Sequence, residues 1–295
     1  MHILLQDLRY AFRSLSRVPG FTLTVMVSLA LGIGANTLVY SLVDGLLLRP
    51  FPFPDAKRLV AVGVRYAEDD DRRFIESMSP AEYEDIRTSS RTLERFFAFD
   101  LGNRNISGSD LAERVFTAFI WGDPFATIGM RPWLGRGFTE DETASGAGNA
   151  VAILSHRVWQ SRFGSDSSVV GRAIEVNGVP RTVVGIMPPS LLVMGTDLWL
   201  PMGVSPTVIP RRARQWAIVA RMRDGVSMDQ VQVDLSTTAG AVARTWEGTH
   251  PEYRQWSLAA SRWGDVVSAP VRPAALVMLG TVAFVLLRRR TTSPA

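Results

Sequence analysis

The chain has 295 residues, 46% of them hydrophobic, and carries a formal net charge of +4. Its basic residues are almost all arginines, Lys57 being the only lysine, and their longest run is Arg288–Arg290, a pattern that argues against a nucleic-acid surface. There is no cysteine, which excludes structural disulfides, thiol catalysis and cysteine-based metal sites.

Residues 1–17 place Leu4, Leu5, Leu8, Phe12 and Leu15 at helical spacing, with Asp7, Arg9, Arg13 and Arg17 on the other side. That pattern predicts an amphipathic helix lying at a membrane interface. Pro19-Gly20 is expected to break it. Arg9, Arg13 and Arg17 put the N-terminus in the cytoplasm by the positive-inside rule. From Val18 to Val43 no residue is charged, and the apolar run continues through Leu48, predicting a transmembrane helix over 18–48. About 20 helical residues cross a hydrocarbon core of about 30 Å. The leucines, valines, isoleucine and phenylalanine of this stretch favour insertion by roughly 3–6 kcal/mol. A cleaved signal peptide has an apolar region of only about 7–15 residues before a small-residue site. An uncleaved anchor is therefore expected. Gly32, Gly34 and Ala35 would let a partner helix approach closely.

Residues 49–268 read as an extracytoplasmic domain, and about two hundred residues are ample for a core without disulfides. Phe51-Pro52-Phe53-Pro54 is a stiff exit segment, and Arg58–Arg65 reads as a strand. Ser79-Pro80 starts a helix carrying Tyr83 and Ile86. A second strand is expected at Arg114–Ile120, then a short helix or turn over Gly122–Met130 with Phe125 and Ile128 facing the core. Val151–Leu154 reads as a strand and Arg157–Phe163 as a helix. Asn177-Gly178 lies between two β-rich runs, Ala173–Val176 and Val179–Ile186, the strongest local hairpin signal, so Asn177 has a structural part. A last unit runs strand, helix, strand: Trp216–Met222, a helix capped by Ser227 and Gln230 with Val231, Leu235, Thr238 and Val242 on one face, and Trp256–Ala260. The expected domain is thus α+β, a βαβ-like layer split by a β-rich insert at approximately 131–208.

The segment 270–290 contains a second apolar stretch, Ala274–Leu287, which covers roughly 21 Å as a helix. It spans only with little tilt, bilayer thinning and snorkelling of Arg272 and Arg288. Arg288–Arg290 then place the C-terminus in the cytoplasm, with 291–295 as a tail.

Catalytic chemistry is not legible. His2, His156 and His250 are far apart and share no metal-ligand spacing. His156 in Ser155-His156-Arg157 reads as a helix-start residue, and no G-x-S-x-G elbow surrounds Ser155. Glu68-Asp69-Asp70-Asp71 lacks the spaced ligands and turn glycine of a calcium loop, and Glu140, Asp141 and Glu142 read as solvated. Lys57 follows Ala56, so no P-loop is present. Trp199, Trp216, Trp246, Trp256 and Trp263 read as core and hinge residues. No catalytic, cofactor-binding or metal-binding residue is assigned, and no enzyme activity is expected.

The series DLRYAFRSLSRVPGFTLTVMVSLALGIGANTLVYSLVDGLLL, RPFPFPDAKRLV, SPAEYEDIR, GMRPWLGRGFTEDE, VAILSHRVWQSRFG, VVGRAIEVNGVPRTVVGIMPP, DLWLPM, VARMRDGVSMDQVQ and VRPAALVMLGTVAFVLL resembles, in this order, the permeases of MacB/FtsX-type ABC transporters, in particular the orphan-permease group. The resemblance covers nearly the whole chain. It implies a MacB-like periplasmic core domain with a porter-like βαβ part and an inserted subdomain. It further implies a bacterial inner-membrane protein, an ABC-type ATPase partner that supplies all nucleotide hydrolysis, a second permease in a dimer, and exported domains that move when ATP binds in the cytoplasm. Family members continue into a cytoplasmic loop and further spans, whereas here RRRTTSPA follows, so the chain is expected to be truncated in its second span. The function expected is that of a permease subunit, or its N-terminal part, in an export or mechanotransmission system. The alternative is a membrane-anchored module that binds a periplasmic partner without transport.

Overall fold

The computed structural model describes residues 54–66, 77–107, 112–143, 150–189, 191, 195–202 and 208–269, with positions 19, 20, 22–24, 26, 27, 34, 273 and 277 of the flanking segments. The chain divides into two compact units, Pro50–Val267 and the flanking Met1–Arg49 with Ser268–Ala295. In the flanking unit Pro19 and Gly20 are helical, and Thr24 Oγ1 donates to the Gly20 carbonyl at 2.9 Å. The expected break between the 1–17 helix and the span involves residues before Pro19, which lie outside the described residues. The expected interfacial helix at 1–17, the bulk of the spans at 18–48 and 270–290, and the 291–295 tail lie outside the described residues. Among the described residues no helix is long and apolar enough to cross a membrane.

Among its described residues the Pro50–Val267 unit holds ten strands: β1 (Leu59–Tyr66), β2 (Leu93–Ser107), β3 (Glu113–Gly122), β4 (Leu134–Gly135), β5 (Val151–Leu154), β6 (Ala173–Val176), β7 (Val179–Ile186), β8 (Leu198–Pro201), β9 (Ala217–Met222) and β10 (Trp256–Arg262). Its helices are α1 (Pro80–Ser89), α2 (Pro124–Ile128), α3 (Glu140–Thr143), α4 (His156–Phe163), α5 (Met228–Trp246) and α6 (Trp263–Ser268). One sheet runs β10-β1-β9-β2-β3-β8-β5-β7-β4, with β6 pairing β2 and β7.

Neighbours among the first four strands of that order are antiparallel, so that β1 runs parallel to β2 and β9 to β10, with α1 joining the first pair and α5 the second. They form two interleaved βαβ units, and the chain between β2 and β9 supplies everything else. Alternation along the strands sorts the side chains. Val60, Val62, Val64, Ile218, Ala220 and Met222 face Tyr83 and Ile86 of α1 and Val231, Leu235, Ala239 and Val242 of α5. Leu59, Ala61, Phe97, Phe99 and Val219 face the other way, onto Phe125 and Ile128 of α2 and onto Trp199 and Trp263. A third cluster joins Leu154, Val158, Ile174, Val183 and Leu198, from the chain between β3 and β9, to Ile106 at the far end of β2. Each fully buried aliphatic side chain contributes roughly 1.5–3 kcal/mol.

Local signals placed many of these elements. Ser79 caps α1 in a reciprocal box with Glu82, and Ser227 does the same for α5 with Gln230. Asn177 and Gly178 have φ of 48° and 77°, the doubly positive turn that matches strand twist in a two-residue hairpin. Asn177 also accepts from the Asn105 N–H at 2.7 Å and returns its own N–H to the Asn105 carbonyl at 2.9 Å, tying the hairpin to β2. β2, the longest strand, has no counterpart among the sequence-based expectations. Adjacent Phe96 and Phe97 spoil its alternation and its distal half is polar. It is a strand because β9 and β3 pair with its two edges.

Candidate functional site

The chain enters the compact unit at β1 and leaves it at β10, and these strands are antiparallel neighbours, Val60 lying opposite Arg262. Both connections to the flanking apolar segments therefore emerge at one edge of the sheet. We call the segments there the N-terminal root (Pro54–Arg58) and the C-terminal root (Arg262 and α6).

Arginines fasten this edge. Arg58 donates to the Met222 carbonyl through Nε at 2.9 Å and Nη2 at 2.6 Å, and Nη2 reaches Glu94 at 2.7 Å. Arg262 Nη1 donates to the Lys57 carbonyl at 3.0 Å, joining the two roots directly. Arg221, only 7% exposed, donates through Nε to the Thr127 carbonyl at 2.6 Å and through Nη2 to the Pro54 carbonyl at 3.2 Å. Burial lowers the Arg221 pKa from its ordinary value, and the nearby Arg58 charge adds to this. Trp263 of α6 is buried with its ring edge-on to Phe99 at 6.1 Å. Carbonyl acceptors and apolar packing suit the bearing of load.

A second polar cluster lies around α1. Glu82 is fully buried; its Oε1 accepts from Tyr253 Oη at 2.9 Å and Arg214 Nη2 at 2.5 Å, and its Oε2 accepts from the Ser79 N–H at 2.9 Å. Arg211 pairs with Asp85 and lies over the Trp246 ring, 4.2 Å from its centroid. Burial pushes the Asp85 carboxyl up, against the pull of Arg211. These bonds pin the returning chain before β9 onto α1. Asp234 of α5 ties the α1–β2 turn in the same manner: its Oδ2 accepts from Ser90 Oγ, Thr92 Oγ1 and the N–H groups of Arg91 and Thr92, at 2.7–3.1 Å.

The residues weighed for chemistry are dispersed. Ser155 Oγ caps α4 by accepting from the Val158 N–H at 3.1 Å, and His156 lies edge-on to Trp133 and Trp159. His250 packs on Trp246 and Tyr253, in a different cluster. Glu142 pairs with Arg136 at 2.7 Å. His2 and Glu68–Asp71 lie outside the described residues. Trp199, Trp216, Trp256 and Trp263 are core residues, and Trp246 is half-buried beside them. Among the described residues no group of three metal-ligating side chains occurs. Arg221, Glu82 and Asp234 were not singled out from the sequence. The available signal was parity: within the apolar strand AIVARM, Arg221 shares a face with Val219, which obliges a charge to be buried.

Residues 22–238 match the family described as the MacB-like periplasmic core domain. Among solved structures, the periplasmic region of MacB from Actinobacillus actinomycetemcomitans is similar, with 15% identity, TM-score 0.48, and coverage of 74% of this chain and 94% of that one. The extracellular domain of the ABC-type transporter YknZ from Gram-positive bacteria is similar too, with 15% identity, TM-score 0.47, and coverage of 68% and 98%. No curated protein matches the sequence significantly.

Proposed function

This chain belongs to the MacB-like periplasmic core domain family, and from that membership we propose that it is a permease subunit of an ABC-type export or mechanotransmission system. Its flanking apolar segments anchor it in the bacterial inner membrane with the N-terminus in the cytoplasm. Its α+β domain stands in the periplasm and relays motion generated by a partner ATPase. The observation that carries this reading is the juxtaposition of the two roots. In a domain whose inlet and outlet are neighbouring antiparallel strands, a displacement of either connection enters the sheet at the same place. Supporting it, the helical residues Leu23, Met26 and Val27 and the single position Val277 leave large apolar side chains exposed, as lipid-facing helices do. The chain works as a pair with a second permease, and ATP hydrolysis belongs to the partner.

Affinity purification of the full chain from native membranes tests this. An ABC-type ATPase enriched with ATP and vanadate, and depleted with ADP, is the expected result. Recovery of no ATPase, or recovery indifferent to nucleotide, would overturn the reading and leave a tethered interaction module.

A further inference from the structure

We propose that Arg221 couples the N-terminal root to α2, so that α2 carries displacement of the root into the inserted subdomain; this deepens, and rests on, the mechanotransmission reading above. Arg221 projects from the C-terminal end of β9 on the face shared with Val219, opposite the side covered by α1 and α5. Its guanidinium bridges two carbonyls far apart in sequence, Pro54 in the root and Thr127 in the last turn of α2. A helix leaves its final carbonyls without partners, and a cation there satisfies them. A helix as short as Pro124–Ile128 does not hold itself in place, because nucleation is unfavourable and only tertiary contacts fix it. Phe125 and Ile128 pack it onto the sheet, and its two sides are tied by Arg221 toward the root and by the Phe125 ring, 5.4 Å from that of Trp199 in β8, toward the insert.

The junction has no slack. Gly129, the left-handed cap of α2 at φ +74°, sits where an added Cβ would come within 3.2 Å of Arg221 Nη2 and 3.6 Å of Pro54 Cβ. Root, arginine and helix end thus meet at one point. A buried guanidinium cannot drop an acceptor without a replacement, so movement of Pro54 must either leave it unsatisfied or draw α2 along. The β1 ladder offers a parallel connection, but it reaches the insert only through β9 and then β2, whereas Arg221 joins the root to α2 directly.

Hydrogen exchange measured by mass spectrometry on the full chain in lipid nanodiscs tests the coupling. At the root the Arg58 N–H is held by Asp55 and that of Leu59 by Ala56; in α2 the Thr127 and Gly129 N–H groups are held by Asp123 and Phe125. Arg221→Met should speed exchange at both places by about tenfold or more while β10 keeps its protection. Coupling is reciprocal, so Gly129→Ala should speed exchange at Arg58 and Leu59 as well as in α2. The proposal is overturned if Arg221→Met leaves α2 as protected as in the parent, or if Gly129→Ala affects α2 alone. Should Arg221→Met also strip protection from β10, Arg221→Lys, which keeps the charge on a single donor, is read at the same amides. Faster exchange at both places supports the coupling, and parental exchange at either overturns it. None of these readouts needs an ATPase, so their failure is distinct from failure of nucleotide-dependent purification.

Discussion

Glu82 occupies no surface, yet three parts of the chain use its carboxylate: the start of α1, Arg214 before β9, and Tyr253 before β10. Removing one member of a buried ion pair costs about 3–5 kcal/mol, because the other charge stays buried. Glu82→Gln should therefore lower the chemical-denaturation midpoint much further than Tyr253→Phe, which removes one hydrogen bond worth about 1 kcal/mol. Burial pushes the Tyr253 phenol well above its ordinary pKa, and the Glu82 charge reinforces this; burial does the same to Tyr83. Alkaline titration at 295 nm should show these two of the five tyrosines still protonated when an exposed phenol has ionised. Asp234 moves the other way. Burial alone would push its carboxyl up, but the bonds from Ser90, Thr92 and Arg91 outweigh burial and hold it below the usual range. A depressed folded-state pKa stabilises fully above the unfolded value of about 3.9 and is lost as pH falls through the folded one. Asp234→Ala should thus cost about 1.5–3 kcal/mol at pH 7, the worth of hydrogen bonds to a charged group. Thermal melts of variant and parent should converge as the pH is taken below 3.9, and a gap that persists unchanged would contradict the assignment.

Elements differ in how much of their stability is local. α5 has its own start signal, and Ser227→Ala, which removes the cap from the Gln230 N–H, should cost about 1 kcal/mol, with faster amide exchange confined to the first turn. The β6–β7 hairpin is similar, since its turn residues are chosen by backbone sign. α2 and β2 are at the other extreme. α2 is five residues between two anchors, and β2 alternates poorly but pairs on both edges. Their sequences therefore say least about them, and changes in their partners should disturb them most.

At the scale of the whole molecule, the two roots share one edge, and a single sheet runs without interruption from the βαβ layer into the insert. The absence of cysteine provides a clean background for topology mapping. A cysteine placed at Thr237, exposed on α5, should react with an impermeant maleimide in intact cells, whereas one placed at Ser14 should react only after lysis. Equal labelling of both positions would contradict a cytoplasmic N-terminus with an exported domain.

The sequence by itself determined the α+β class, the caps of α1 and α5, the hairpin at Asn177-Gly178, most strand positions and the family, because caps, turns and alternation act over a few residues and an ordered series of segments survives drift. It did not determine β2, the order of the strands or the partners of Arg221, Glu82 and Asp234. Arg221 lies far along the chain from both Pro54 and Thr127, and Glu82 from Arg214 and Tyr253. No local signal encodes such a pairing; it follows only when the sheet has closed and left each buried charge with the acceptors or donors that the fold brings to it.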